Sequence, residues 1–333
     1  MNAADPSARA SSDPEVRGDA VAVIGNGVVG QRVVKRLELK GPGRRIVRLD
    51  ERTTDLSRTR RLDQVAVAVL AHPGPHHAAA RALVSRGVSV VSVGDRVADV
   101  DSMIRFSASA IGGGATLVVG AGMSPGLTGV IARHLAAQLA EVDEIHVAIH
   151  GTAGPACARQ HHRALAGVAL SYDETGFVTS RAGSGRELAW FPEPVGAYDC
   201  YRAEMPVARV LHDVFPTVTR ITARMSANRR DRFTSRLPML TPPHPEGGVG
   251  AVRVEVRGAD HDGGRQTVIG GVAEMVGTAA AATAASYVEH ILDGSLPSGL
   301  VLPGDEQIDN AGLLRRIVRF GVRLQEFTGV PSA

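Results

Sequence analysis

AVAVIGNGVVGQRVVKRLEL, residues 20–39, decides the fold. Its first five residues are all apolar and suit a strand buried on both faces, as in the middle of a parallel sheet. Glycines at 25, 27 and 30 follow at once, and then a segment with apolar residues at helical spacing. A buried strand, a glycine-rich turn and a helix in direct succession make a cradle for a pyrophosphate. Gly25 permits the tight turn, Gly27 lets the backbone approach the phosphates, and Gly30 lets helix and strand pack closely; Asn26, Val28 and Val29 complete the turn. The helix start adds unpaired N–H groups and the positive end of its dipole. Asp50 stands twenty residues beyond Gly30, at the tip of a second strand, RIVRLD (45–50). A carboxylate there accepts hydrogen bonds from ribose hydroxyls and repels a 2′-phosphate. The motif therefore predicts a bound nicotinamide dinucleotide, NAD by preference, with NADP left open by Arg48 and Arg52 nearby.

Outward from this stretch, QVAVAVLA (64–71), VSVVSVGD (88–95) and ATLVVGAGM (115–123) read as further buried strands, with the Ala-rich helix of 72–87 between the first two. Alternating strands and helices predict an α/β Rossmann domain over 19–124, a parallel sheet with helices on both faces. The pattern changes after about residue 140. EIHVAIHG (144–151), the pair within 176–191, VTRITARMSA (218–227) and the long pair within 249–274 predict a mostly antiparallel sheet. This gives an α+β substrate or dimerisation domain over 125–294, and a homodimer is expected. Residues 278–294 form a helix of good formers ending at Gly294, and 313–327 is expected to be one closing helix. The segment 295–333 is expected to pack back on the first domain, and residues 1–18 to be a disordered leader.

Of the 333 residues, 44% are hydrophobic and 21% charged, the balance of a globular protein. No apolar run reaches the ~20 residues of a membrane span, and the N-terminus has no signal-like apolar stretch, so a cytoplasmic protein is expected. The net charge of +3 is dispersed, apart from the short run RRDR at 229–232, which argues against nucleic acid as a partner. Lys35 and Lys40 are the only lysines, both near the first helix, which argues against a Schiff base or a lysine base. Cys157 and Cys200 are too few for a disulfide framework or a zinc site; both are expected to be buried, and no metal is expected.

Three more stretches carry a resemblance. These are 64–95 with its Gly-Pro loop and following histidine, GAGMSPGLTGVIARHLA (120–136), and WFPEPVGAYDCYRAEMP (190–206). With the glycine motif they make the chain resemble the saccharopine dehydrogenase-like family of NAD(P)-dependent amino-acid oxidoreductases. The resemblance implies a Rossmann domain, a mixed second domain, a returning tail, and reversible oxidation of an amine, or reduction of an imine, at an amino-acid carbon. It does not fix the substrate, and the lack of lysine in the second domain argues against the lysine-forming members.

Candidate site residues fall on the strand tips and on one helix. Ala71, Pro73 and Gly74 follow a parallel strand at its C-terminal edge, where such sheets bind ligands, and Asp95 ends the next strand at the same edge, as cofactor contact, acid–base group or turn cap. One of His76 and His77 can face the cleft. Ser124 is expected to cap a helix with Pro125 at its first position, its N–H groups facing the nicotinamide or a substrate carboxylate. In GPACARQHHRAL (154–165), Arg159 and Arg163 can clamp a carboxylate and His161 or His162 can carry a proton, so this helix is expected to face the nicotinamide. Cys157 and His161 form an i, i+4 pair, but no third group to orient them is evident. Tyr201 and Arg202 can complete the pocket, and Trp190 belongs to the core or to an interface. Two rival readings remain: a dinucleotide-binding protein without catalysis, and a redox-neutral isomerase or synthase with bound NAD.

Overall fold

The computed structural model describes residues 19–110 and 114–327; the expected leader, 1–18, lies outside them. Strand β1 (Ala20–Ile24) is fully buried and runs parallel between β2 (Ile46–Leu49) and β3 (Val65–Leu70). Strands β4 (Ser89–Ser92) and β5 (Thr116–Val119) continue the parallel order β2-β1-β3-β4-β5. The chain reverses its direction of growth between β1 and β3, the switch point at which open α/β sheets bind ligands. Helix α1 (Val28–Lys40) buries Gly30, Val33, Val34 and Leu37, the stripe its sequence spacing predicts. Helices α2 (His77–Val84) and α3 (Val97–Ala110) follow β3 and β4, and α4 (Leu127–Ala136) leads into the second domain.

That domain is built on β6 (Glu141–His150), β7 (Val168–Asp173), β8 (Gly176–Arg181), β9 (Glu187–Phe191), β10 (Gly196–Arg202), β11 (Arg220–Ser226), β12 (Val249–Ala259) and β13 (Arg265–Met275). Only the β6–β11 pair is parallel among the described pairings; the rest are antiparallel, so the expected sheet is present. Helix α5 (Pro155–Ala164) follows β6, α6 (Val207–Val214) follows β10, and the short α7 (Arg229–Thr234) follows β11.

Helix α8 (Val276–Leu292) is lined almost throughout by small buried residues. It packs against α1, β3 and β4, so the helix that the sequence grouped with the second domain covers a face of the first sheet. Its alanines let the backbone lie close to that sheet. The chain then adds β14 (Gly299–Val301) in parallel beside β5. The expected closing helix over 313–327 is corrected: α9 spans Asn310–Arg319, and Leu324–Phe327 form β15, antiparallel to β13. Gly321, at φ +95°, turns the chain out of the helix where other residues would be strained. The segment from β14 to β15 thus joins both sheets.

The return segment is held by α4. Arg133 donates from Nε to the Gly304 carbonyl (2.7 Å) and from Nη2 to that of Val214 (2.6 Å), and its guanidinium lies 4.1 Å from the centre of the Phe215 ring. A Cβ at Gly129 would come within 2.2 Å of the Pro303 carbonyl oxygen. Gly129→Ala is therefore expected to destabilise the protein by about 1–3 kcal/mol through forced separation of α4 from this segment. Urea unfolding of the variant against the wild type measures it.

Candidate active site

One cavity opens between the two domains, and a second lies within the second domain and adjoins it. The first, about 370 Å³, lies over the β1–α1 turn. Gly25, Asn26, Gly27, Val28, Val29, Asp50, Ala71, Pro73, Gly74, Asp95 and Ser124 all line it. Gly30 lies beneath, where a Cβ would come within 2.1 Å of the Gly25 carbonyl oxygen. Gly25 itself has φ +115°, and a Cβ there would meet the His72 nitrogen at 2.6 Å. Gly27 differs: an added Cβ meets nothing within 4 Å and projects into open space. Packing thus explains Gly25 and Gly30, whereas the space beside Gly27 has the form of a ligand cradle. A dinucleotide phosphate fits it, with the N-terminus of α1 behind.

Asp50 stands at the rim, its Oδ1 accepting from the Arg52 N–H at 2.9 Å. Arg48 points to Glu38 (3.1 Å) and does not line the cavity, while Arg52 does and lies 3.7 Å from Glu51. Of the two arginines that left NADP open, only Arg52 is placed beside the carboxylate.

The loop after β3 is anchored by Asp99. Its carboxylate accepts from the backbone N–H groups of His76 (2.6 Å) and His77 (2.9 Å) and contacts His77 Nδ1 at 2.8 Å. His76 is fully buried, between Ser92 Oγ (2.7 Å) and the His72 carbonyl (2.9 Å). Neither His76 nor His77 lines the cavity; His72, at the start of the same loop, does. Burial pushes His72 down to about 4, with His76 beside it adding to the effect. Burial alone would raise the Asp99 carboxyl, but the donors from His76 and His77 outweigh it and hold it below its usual value.

Ser124 does not cap a helix. The chain makes a tight turn through Gly126 at φ +130°, and α4 starts only at Leu127. A Cβ at Gly126 would overlap the Gly122 carbonyl oxygen at 2.1 Å, so this turn needs glycine.

The second cavity, about 850 Å³, lies among α5, α7 and β10. His150, Gly151 and His161 are the residues that line both cavities. Helix α5 explains the choice of side chains. Ala158 and His162 are buried, Cys157, Gln160 and His161 face the first cavity, and Arg159 and Arg163 are exposed on the opposite side and line neither. Arg202 is also exposed and lines neither. Tyr201 and His162 line the second cavity, with the Arg232 guanidinium 4.8 Å from the centre of the Tyr201 ring. His162 Nε2 faces the carbonyls of Thr234 (3.0 Å) and Leu237 (3.1 Å), which ties α5 to the segment after α7. The guanidinium groups on this cavity are those of Arg186, Arg229 and Arg232, two of them from the basic run at 229–232. Arg186 is paired with Asp199 at 2.9 Å.

At the junction, Cys157 Sγ lies 3.7 Å and Asp95 Oδ2 3.6 Å from His161 Nε2. Gln160 Nε2 donates to the other oxygen of Asp95. The orienting group that the sequence left unidentified is thus Asp95, brought from the first domain. Burial lowers the His161 imidazole, but its contacts with the Cys157 sulfur and the Asp95 carboxylate outweigh this and hold His161 well above its usual value. The two expected buried thiols differ. Cys200 is buried and pushed up to about 12 by that burial, whereas Cys157 is half-buried on the cavity wall. His150 was not singled out in the sequence, where it reads as one residue of an alternating strand. Its Nδ1 lies 2.8 Å from Ser226 Oγ, its ring is 4.1 Å from that of Tyr198, and burial lowers its pKa.

No protein-family model matches the sequence, and no curated protein matches it. Solved structures do. Saccharopine dehydrogenase (L-Glu forming) from Saccharomyces cerevisiae superposes with a TM-score of 0.69 over 93% of this chain and 99% of that one, at 13% identity. The fold is that of saccharopine dehydrogenase. A meso-DAP dehydrogenase mutant from Clostridium tetani follows at TM-score 0.49, 14% identity, and 88% and 95% coverage of the two chains. DAP dehydrogenase from C. glutamicum gives 0.47, 13%, and 90% and 98%. The two-domain fold that the motifs imply is the one shared with the yeast structure.

A carboxylate held below its usual value stabilises the fold above the unfolded pKa, about 3.9 for Asp, and loses that contribution as pH falls through the folded value. Asp99→Asn is therefore expected to cost about 1–3 kcal/mol at neutral pH. The gap from wild type should stay constant down to about pH 4 and close below it. Denaturant melts across pH measure both.

Proposed function

We propose that the protein is an NAD(P)-dependent oxidoreductase acting on the C–N bond of an amino-acid amine or imine. The observation that carries this is the meeting of the two cavities at His150, Gly151 and His161, one with the dinucleotide cradle and the other lined by Arg186, Arg229 and Arg232. In this reading Gly25, Asn26, Gly27, Val28 and Val29 hold the pyrophosphate over Gly30, and Asp50 takes the adenosine ribose. Ala71, Pro73 and Gly74 follow the nicotinamide ribose, and Asp95 and Ser124 border the ring. The cofactor supplies or accepts the hydride.

The remaining work falls to the chain. A substrate in the second cavity meets cationic groups at Arg229 and Arg232. The carboxylate clamp expected at Arg159, Arg163 or Arg202 passes to these, because the former three line neither cavity. Tyr201 and His162 shape the cavity wall. The cluster of Asp95, Cys157 and His161 handles the proton: the substrate nitrogen loses one as the amine is oxidised and regains it on imine reduction. The same reading makes the protein a cytoplasmic homodimer, with Leu188 and Trp190 on β9 supplying exposed apolar surface. Trp190, 63% exposed, is not a core residue. No described helix is long and apolar enough to cross a membrane.

Mixing the protein with NADH and pairs of keto acids and amines, and following the loss of reduced-nicotinamide absorbance, tests the reading. Steady turnover with at least one pair is expected; product without net cofactor change, or binding without turnover, overturns it. Gly27→Val should lower NAD(H) affinity at least about tenfold, or 1.4 kcal/mol, while its unfolding midpoint stays near wild type, since the new side chain enters open space. Undiminished affinity in calorimetric titration of the folded variant removes the cofactor assignment. Asp50→Ala should weaken NAD(H) and improve NADP(H) relative to it, by loss of repulsion toward the 2′-phosphate. The ratio of the two dissociation constants measures this.

A further inference from the structure

We propose that Asp95, Cys157 and His161 bind a divalent cation, zinc by the chemistry of the donors, with its remaining coordination position open to the junction of the two cavities. Among the described residues these three are the group of His, Cys, Asp and Glu whose donor atoms all lie within 4.8 Å of one another. Binding of the ion stands on geometry alone; only its role rests on the oxidoreductase reading.

Two of the three separations match those of a metal site, and the third lies within 4.8 Å. Zinc takes sulfur at about 2.3 Å and nitrogen or carboxylate oxygen at about 2.0–2.2 Å in a tetrahedral array. Two such ligands then stand roughly 3.6 Å apart for sulfur and nitrogen and roughly 3.4 Å for nitrogen and oxygen. The observed separations are 3.7 Å from Cys157 Sγ to His161 Nε2 and 3.6 Å from His161 Nε2 to Asp95 Oδ2. Hydrogen bonding accounts for them less well. Both contacts converge on the same ring nitrogen, which carries one proton at most, and 3.6 Å is beyond a normal N–H···O bond. A cation among the three satisfies all of them at once.

The surroundings are organised for it. Cys157 and His161, at i and i+4, project from one face of α5. Asp95 is steadied by Gln160, which engages Oδ1 and leaves Oδ2 directed at His161, the supporting contact that metal-binding carboxylates require. One sulfur, one nitrogen and one oxygen suit zinc; magnesium and calcium prefer oxygen alone. Three protein ligands with an open position are the pattern of a catalytic ion rather than a structural one. All three residues line the first cavity and His161 also lines the second, so the ion would stand where the two cavities meet, within reach of the proposed substrate. There a bound water, acidified by the ion, can exchange the proton of the substrate nitrogen.

The test uses the full chain, stripped with a chelator and titrated with cobalt(II), then with zinc by calorimetry. One equivalent of cobalt is expected to produce thiolate-to-cobalt charge-transfer absorption and the intense visible bands of a four-coordinate ion. Cys157→Ser should remove the charge-transfer band, and His161→Asn and Asp95→Asn should each weaken zinc at least about tenfold. Gln160→Ala keeps every ligand and should also weaken zinc, so the test survives if a ligand variant does not fold. Cobalt binding without charge transfer, or equal zinc affinity in wild type and the folded ligand variants, overturns the proposal. NADH is titrated separately into the metal-free protein. Zinc binding as expected without any NADH binding supports the metal site and removes the oxidoreductase reading.

Discussion

The site depends on how closely backbones approach one another around the first turn of α1. Gly30 lies on the Gly25 carbonyl, and Gly25 lies on the chain after β3; neither has room for a Cβ. Val28, at the start of the same helix, is wedged between two further glycines. A Cβ on Gly154 would come within 2.9 Å of its Cγ2, and one on Gly277 within 2.8 Å of its Cγ1. Gly154 precedes α5 and Gly277 lies in the first turn of α8. The starts of three helices therefore converge on one side chain, and the glycines make this possible.

Two properties of the site follow. The positive ends of helix dipoles gather beside the Gly27 cradle, which favours an anion there. The same packing fixes α5 against the strand tips of the first sheet, so that His161 and Gln160 reach Asp95. The domains are further tied by α8 on one side and by the terminal segment, β14 in one sheet and β15 in the other. The junction of the two cavities is thus braced from several directions. Acid–base groups need such bracing, because a small displacement removes them from reach of a reacting atom.

The groups at the junction also divide by electrostatic environment. His150 is lowered by burial, beside a serine hydroxyl and aromatic rings. His161 is raised by its contacts with Cys157 and the Asp95 carboxylate, despite burial. Two imidazoles at one junction thus differ in their tendency to hold a proton, through their neighbours alone.

Residues that act with near neighbours in the chain were legible in the sequence. The glycine turn, the buried stripe of α1, the Asp50 position and the change to an antiparallel sheet each depend on periodicity or local backbone geometry. Helical phase was also legible: Arg159 with Arg163, and Cys157 with His161, do share faces of α5. Which face turns inward was not, because that depends on the sheet and the cradle that α5 packs against, and these place the arginines in solvent. The extent of α9 went the same way, since pairing with β13 draws Leu324–Phe327 into a strand. Asp95 reaches His161 only because two domains close on each other. The glycine turn can be read from residue order, since short-range sterics dictate it; which distant side chains stand around it follows from the packing of the two sheets and their helices.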